Sequence, residues 1–371
     1  MKHLVLYHAN CMDGTAAAAA HQMGVDYKDG DLNYQYVPIN YDVKTPELLD
    51  EHLAKSELTL AQFDVVWMLD FCLLNPILDK LTQANKIVII IDHHKTAIDQ
   101  LAEFKHPRLF YILSADNQLS GAGLSYLFRH SYTQLFHFLT EVSPKTFKSP
   151  KGYEIISNIP TIESFMSNYH SILFEWIRIR DVWDESDPTA KHNADMFFYA
   201  ITNRGCFELP KFKKFLVEYN EHETASSRDM SRYLFDLMNE GKLVYSVHRN
   251  SCETAIKGGY KVVVDGTHIK NIQVLITASP VKQDSLLGDM WRELHPDQPT
   301  LMVGLSYMHK ECKVVAGLRS NHLIDCLTLA KQLGGGGHLR AAGCDLSPFL
   351  GAHGGIEYIN AVSYTHLRAH E

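Results

Sequence analysis

Two stretches of this chain carry side chains that could do chemistry together. The first is Asp92-His93-His94, which closes an apolar run of isoleucine and valine at residues 86–91 (KIVIII). Imidazole nitrogen and carboxylate oxygen emerging from one strand end suit a divalent transition ion such as manganese. A polar turn after a buried strand is an equally open reading of the pair alone, since the chain has 21 histidines. Asp70 ends a neighbouring apolar run, residues 63–69, in the same way. Alone it reads as a cap or turn residue. The second stretch is Gly334-Gly335-Gly336-Gly337-His338, followed by Ala341-Ala342-Gly343. Glycines let backbone N–H groups approach an anion without Cβ interference, and an imidazole adds a hydrogen bond. A flexible linker is the plain alternative, but apolar segments flank the run. Arg319, just upstream in AGLRS, is a candidate bidentate phosphate clamp.

The elements that must position these groups follow from periodicity. Residues 2–7 read as a short buried strand, and residues 15–23 as an alanine-rich helix after a polar turn. Together with residues 63–69 and 86–91 they form near-continuous apolar strands separated by helical stretches. That pattern predicts an α/β fold with a parallel sheet covered on both faces. Working groups in such sheets lie beyond the carboxyl ends of the strands. All three strands place polar or acidic residues there: residues 8–13, Asp70, and Asp92-His93-His94. A helical segment at residues 172–180 leads to Asp181. Residues 143–160, rich in Lys, Ser and Pro, read as an excursion between helices. Residues 206–240 carry helical spacing with many charges, and Gly241 is expected to stop that helix. From residue 243 onward short β-like runs (KVVV, IQVLI, LMVGL, KVVAGL) predict a second, smaller mixed α/β domain. The expected organisation is an N-terminal domain at residues 1–205, a helical connector at 206–241 that hinges around 221–241, and a smaller domain at 242–350; the resemblance described below makes the first the catalytic and the last the substrate-binding domain. Residues 361–371 (AVSYTHLRAHE) have no periodicity tying them to the fold and are set aside as a non-native tail.

Composition narrows the class. A chain of 371 residues exceeds what one core usually supports, so two domains are expected. The formal net charge of −8 does not favour a partner that is a long duplex nucleic acid. Seven scattered cysteines without a CxxC pair argue against a disulfide framework or structural zinc, and for a reducing compartment. No apolar run reaches bilayer length, and the first ten residues turn polar too soon for a signal peptide. The expectation is a cytoplasmic protein with no membrane partner; a homodimer is left open.

The ordered set HxxCMDG at residues 8–14, Asp70, IDHH at 91–94, Asp181 in DVW, LRS at 318–320 and GGGGHxxAAG at 334–343 resembles the DHH phosphoesterase superfamily with its C-terminal DHH-associated domain. The resemblance runs from about residue 1 to 347 and leaves 143–160 unmatched. It implies an N-terminal parallel-sheet DHH domain that binds one or two manganese ions, with magnesium or cobalt as substitutes, and a smaller C-terminal domain that grips substrate across a cleft. It implies that Asp13, Asp70, His93 and Asp181 ligate one ion, with Asp70 bridging to a second. Asp184 and Asp187 stand close enough to compete with Asp181 for that role. Asp92 would orient the imidazole of His93. His94 would face the scissile phosphate. Arg319, Ser320, Gly334, Gly335, Gly336, Gly337 and His338 would hold the phosphate or nucleotide, with Arg319 and His338 stabilising charge. The first motif departs from the family's commoner pattern, which has an aspartate where Cys11 stands. Cys11 and His8 are therefore weaker metal candidates, and Cys11 also reads as a residue packed beneath the turn. The implied activity is metal-activated water attack on phosphorus in short oligonucleotides or small nucleotides. Alternatives are a pAp-type nucleotide phosphatase, a cyclic-dinucleotide phosphodiesterase, an inorganic pyrophosphatase and a non-catalytic nucleotide-binding module.

Overall fold

The structure, a computed structural model, describes residues 1–349 except 30–32, 116–117, 130–131, 133–142, 150, 160–165, 167–170, 267–268, 279–282, 309–312 and 338. His338 and the tail at 361–371 lie outside the described residues. Two compact units divide the chain, Met1–Val244 and Tyr245–Glu371.

In the first unit, β1 (His3–His8), β2 (Tyr34–Ile39), β3 (Val65–Leu69), β4 (Ile87–Asp92) and β5 (Leu109–Ser114) pair in parallel in the order β2-β1-β3-β4-β5. Strand side chains alternate between faces, and both faces are buried. Val5, Val65, Trp67, Ile89 and Ile91 lie in one core with α1 (Met12–Asp29) and α5 (Gly121–Phe128). Leu4, Leu6, Val66, Met68, Val88 and Ile90 lie in another, with α2 (Pro46–Ala54), α3 (Asn75–Gln83) and α4 (Lys95–Glu103). Ala16 to Ala20 of α1 are all buried, so this helix approaches the sheet and α5 with nothing longer than a methyl group along that run.

The sheet is not wholly parallel. β6 (Lys145–Lys148) and β7 (Glu154–Ser157) extend it beyond β5 as an antiparallel pair, giving seven strands. The segment read as an excursion therefore caps the sheet edge. Asn158 locks it in place: Tyr111 N–H donates to its Oδ1, and its Nδ2 donates to the Leu109 carbonyl, both at 2.8 Å.

The expected connector also differs. Residues 209–225 form a helix (Leu209–Ala225) whose Phe212, Phe215, Leu216 and Tyr219 enter the N-terminal core. A second helix, Ser227–Gly258, runs through Gly241 without a break. Gly241 does not stop it; its bare Cα faces the Met196 carbonyl, where a Cβ would lie 1.8 Å from the oxygen. The glycine permits a close helix crossing, which helical periodicity alone cannot distinguish from a terminus. The unit boundary falls inside this helix, so the region is neither a loop nor a separate connector.

The second unit has a six-stranded mixed sheet in the order β12-β13-β11-β10-β9-β8. Its strands are β8 (Tyr260–Val264), β9 (Ile272–Ala278), β10 (Thr300–Met308), β11 (Lys313–Ser320), β12 (Gly336–Gly337) and β13 (Ala341–Asp345), and among the described residues only β9 and β10 pair in parallel. Among the described residues no helix is long and apolar enough to cross a membrane.

Candidate metal centre

A sheet of order 2-1-3-4-5 reverses direction between β1 and β3, and the crevice beyond the strand ends at that switch is where ligands bind in open α/β sheets. His8 ends β1, Asp13 opens α1, Asp70 follows β3 and Asp92 ends β4, so the candidate residues meet at this point. Nε2 of His93 lies 3.2 Å from Asp70 Oδ1, 3.2 Å from Asp181 Oδ2 and 3.8 Å from Asp13 Oδ2. All but Asp181 are buried.

Each ligand is placed by a specific local feature. Asp70 has φ of 62°, left-handed backbone that aspartate tolerates better than most residues. Its N–H remains on the Ile91 carbonyl at 2.8 Å, so the chain turns sharply out of the sheet while still tied to β4. Gly121 lets α5 come this close: a Cβ there would lie 2.6 Å from Asp70 Cβ and 2.7 Å from its Oδ1. The amino end of α5 in turn donates Ala122 N–H to Asp13 Oδ1 at 3.0 Å. Asp181 ends the helix Ile172–Asp181. Arg178 of that helix donates to Glu175 Oε1, to the Gln118 carbonyl and, at 2.6 Å, to Asp184 Oδ2. Asp184 is thus consumed by a structural ion pair, its carboxyl held down at about 2 by Ser186 and Arg178. Asp181 is the member of the pair that faces His93.

Strand geometry decides the roles within Asp92-His93-His94. Side chains two apart share a face. Asp92 Oδ1 accepts from His94 Nδ1 at 2.7 Å and from the backbone N–H groups of His93 and His94 at 2.7 and 3.2 Å. The carboxylate therefore orients the imidazole of His94, not that of His93 as expected from the resemblance. His93 points to the opposite face, toward Asp13 and Asp181.

Electrostatics mark the cluster as incomplete. Burial, together with the charges of Asp70 and Asp181, pushes the Asp13 carboxyl well above the usual range. Burial also raises Asp181, with Asp70 adding to it. Asp70 is held well below it: burial opposes ionisation, but the neighbouring imidazoles of His8 and His93, with His94 adding to them, outweigh it. His93 is raised against burial by Asp181, Asp70 and Asp13. Asp13 Oδ2, Asp70 Oδ1 and Asp181 Oδ2 are buried without a hydrogen-bond donor, which is costly unless a cation satisfies them. Cis ligands about 2.1 Å from one ion stand roughly 3 Å apart. Three carboxylate oxygens and one imidazole nitrogen at the observed spacings fit a divalent metal of the manganese type.

Asp70 Oδ2 faces the other way. His8 Nδ1 lies 3.3 Å from it, and Cys11 Sγ donates to it at 3.6 Å. Cys11 does not simply pack beneath the turn. Its thiol is raised by burial and by the carboxylates of Asp70, Asp181 and Asp13. Tyr41, which the sequence reading missed, stands at the rim: its ring meets His8 edge-on at 5.0 Å and His94 at 6.2 Å, and it is exposed. It follows the carboxyl end of β2, and β2 itself, with polar and proline residues among its apolar ones, lacked a strand signal.

In the second unit the predicted phosphate residues are distributed differently. Ser320 is buried and its hydroxyl donates to the Ile324 carbonyl at 2.7 Å, a structural role. Arg319 on β11 donates through Nη1 to the Leu318 carbonyl at 2.8 Å and through Nε to Ser285 Oγ at 3.3 Å. The glycine run is not an open cradle. Gly334 and Gly335 donate their N–H groups to the Lys331 and Ala330 carbonyls, terminating the helix Cys326–Gln332, and Gly336 and Gly337 pair with β13.

No protein-family model and no curated protein matches the sequence. Among solved structures, the chain is similar to RecJ of Thermus thermophilus in complex with Mn2+, with a TM-score of 0.51 and 12% identity over 99% of this chain. It spans about half of that protein, covering 52% of its length. A pGpG-specific phosphodiesterase, PggH from Vibrio, aligns over 99% of both chains at 12% identity and a TM-score of 0.45. An uncharacterized protein from Helicobacter pylori G27 aligns over 98% of both at 15% identity and a TM-score of 0.38. Only the first of these likenesses bears on the fold. Together with the strand order around the β1/β3 switch, it shows that this chain shares the two-unit α/β fold of that protein.

Proposed function

We propose that the chain is a metal-dependent phosphoesterase that hydrolyses short oligonucleotides or small nucleotides, with manganese as the preferred ion at the His93 position. The observation that carries this reading is the convergence of Asp13, Asp70 and Asp181 oxygens on His93 Nε2, with those oxygens buried and lacking donors. Asp13, Asp70, His93 and Asp181 would hold the ion. When bound, a divalent ion here supplies Lewis acidity and makes a water acidic enough to attack phosphorus.

The chain's own residues supply the rest. Asp92 accepts from Nδ1 of His94, which fixes the ring, and Nε2 is the atom that would give a proton to the leaving oxygen or a hydrogen bond to a phosphoryl oxygen. Tyr41, exposed at the rim beside His8 and His94, offers a ring face to a nucleobase. In the second unit Arg319 and His338 remain the proposed phosphate contacts. The six described cysteines are free thiols, which supports a reducing, cytoplasmic location.

The test is a manganese-supplemented panel of pAp, pGpG, cyclic dinucleotides, short RNA and pyrophosphate, read by chromatography. Hydrolysis of a nucleotide substrate that falls about 1,000-fold or more in Asp70→Ala supports the proposal. Full activity in that variant, or turnover of pyrophosphate alone, overturns it.

A further inference from the structure

The metal position at His93 uses only one oxygen of Asp70. The other, Oδ2, is shared by a thiol and an imidazole, and the ligand atoms of His8, Cys11 and Asp70 all lie within 4.8 Å of one another. His8 is the last residue of β1 and Cys11 immediately precedes α1, so one short turn delivers both of them and Asp13. A second, independent sign is Asp92 Oδ2. It is buried and has no donor, and Asp92 offers a ligand atom to a group with Asp70, His93 and His94 that shares Asp70 with the first. Imidazole, thiol and carboxylate around one point differ in kind from the three carboxylates and one imidazole on the His93 side.

We propose that His8, Cys11 and Asp70 form a second metal position, with the Cys11 sulfur as a direct ligand, and that this position takes zinc or cobalt in preference to manganese. The inference deepens the phosphoesterase reading, on which it rests for the sharing of Asp70 between two ions. Thiolate is a soft, polarisable ligand that favours zinc-like ions, whereas oxygen-rich sets suit manganese. The two halves of one carboxylate would then face ions of different character. Binding forms a sulfur–metal bond and breaks the S–H bond. The proton goes to solvent, and neither sulfur nor metal changes oxidation state.

Cobalt(II) reports on this directly, because sulfur ligation produces a near-ultraviolet charge-transfer band that nitrogen and oxygen ligands do not. Full-length protein stripped with a chelator would be titrated with cobalt(II) alone. Wild type is expected to take two ions per chain and show the band. Cys11→Ser should keep visible cobalt absorption from the His93 position and lose the band. Cys72→Ser should behave as wild type, since the Cys72 thiol donates to the Leu73 carbonyl and stands outside all three groups of candidate ligands. Cys11→Asp should shift the second position toward manganese over zinc by on the order of 100-fold. A wild-type protein that binds two cobalt ions without the band, or a band undiminished in Cys11→Ser, overturns the proposal. Should the serine variant fail to fold by circular dichroism, alkylation of wild type decides: zinc should protect Cys11 but not Cys72, and equal labelling refutes ligation. Hydrolysis of nucleotides with no band would reject this inference and spare the activity; a band with no hydrolysis of any substrate would do the reverse.

Discussion

Asp181 ends its helix, Asp184 lies three residues beyond it, and the two serve opposite purposes. Asp181 carries an oxygen that faces His93, while Asp184 neutralises the buried guanidinium of Arg178. Asp181→Asn is expected to weaken metal binding at the His93 position by about 10- to 100-fold while leaving stability of the metal-free protein unchanged or slightly higher, since it removes one of several crowded carboxylates. Asp184→Asn should leave metal stoichiometry intact and lower stability by about 1–3 kcal/mol, because among the described residues Arg178 keeps Glu175 alone as an anionic partner. Calorimetric metal titration alongside urea unfolding separates the two; equal metal loss in both would remove the distinction. At this scale the sequence showed which residue types meet but not which atom faces which. Asp13, Asp70 and His93 were legible because each follows an apolar run. The partner of Asp92 was not: the resemblance implied His93, whereas side chains two apart along extended chain share a face and Asp92 holds His94.

The elements explain why the ligands are held so closely. The amino end of α5 presses against Asp70 at Gly121, and no side chain fits between them. Gly121→Ala is expected to displace the helix start by a few tenths of an ångström or more and to loosen the Ala122 N–H contact with Asp13. Metal affinity should fall by about 10-fold or more, with a stability loss of about 1–3 kcal/mol from overpacking. Isothermal titration checks the first and thermal unfolding the second; unchanged affinity would show that this contact does not set the ligand geometry. Strand-end chemistry was readable for β1, β3 and β4, whose sequences are nearly all apolar. β2 and β6 were not, because edge strands carry polar residues and imitate loops, and β7 was not, because it has four residues of which two are polar. The helix through Gly241 was misjudged because a glycine that permits close crossing and a glycine that ends a helix look alike without the neighbouring carbonyl.

For the molecule as a whole, acid sensitivity should come from a site remote in role from the metal ligands. His21 is buried between Trp67 and Tyr132 with Nδ1 on the Tyr36 hydroxyl, and burial lowers its pKa to about 3; His3 is lowered to about 4 by burial and the nearby amino terminus. Both folded values lie below the unfolded one near 6.5, so the unfolded chain binds more protons between them. The stabilisation is therefore complete above pH 6.5 and declines as pH falls toward 4, by up to about 1.4 kcal/mol per pH unit for each histidine. Urea midpoints across pH 4 to 7 should show that slope, and His21→Met should flatten it by about half. An identical slope would assign acid loss to other groups. The two-unit α/β architecture was legible from strand and helix texture alone; the unit boundary was not, because it lies within one uninterrupted helix. The alanine run of α1 has one further implication. With five methyl-sized side chains wedged against β-strands and α5, the helix carrying Asp13 has no slack to slide when an ion arrives. A divalent ion held at the proposed His93 position is therefore expected to meet a site preset in size, so calcium, whose oxygens stand at about 2.3–2.6 Å, should bind more weakly there than an ion of manganese radius in a calorimetric titration.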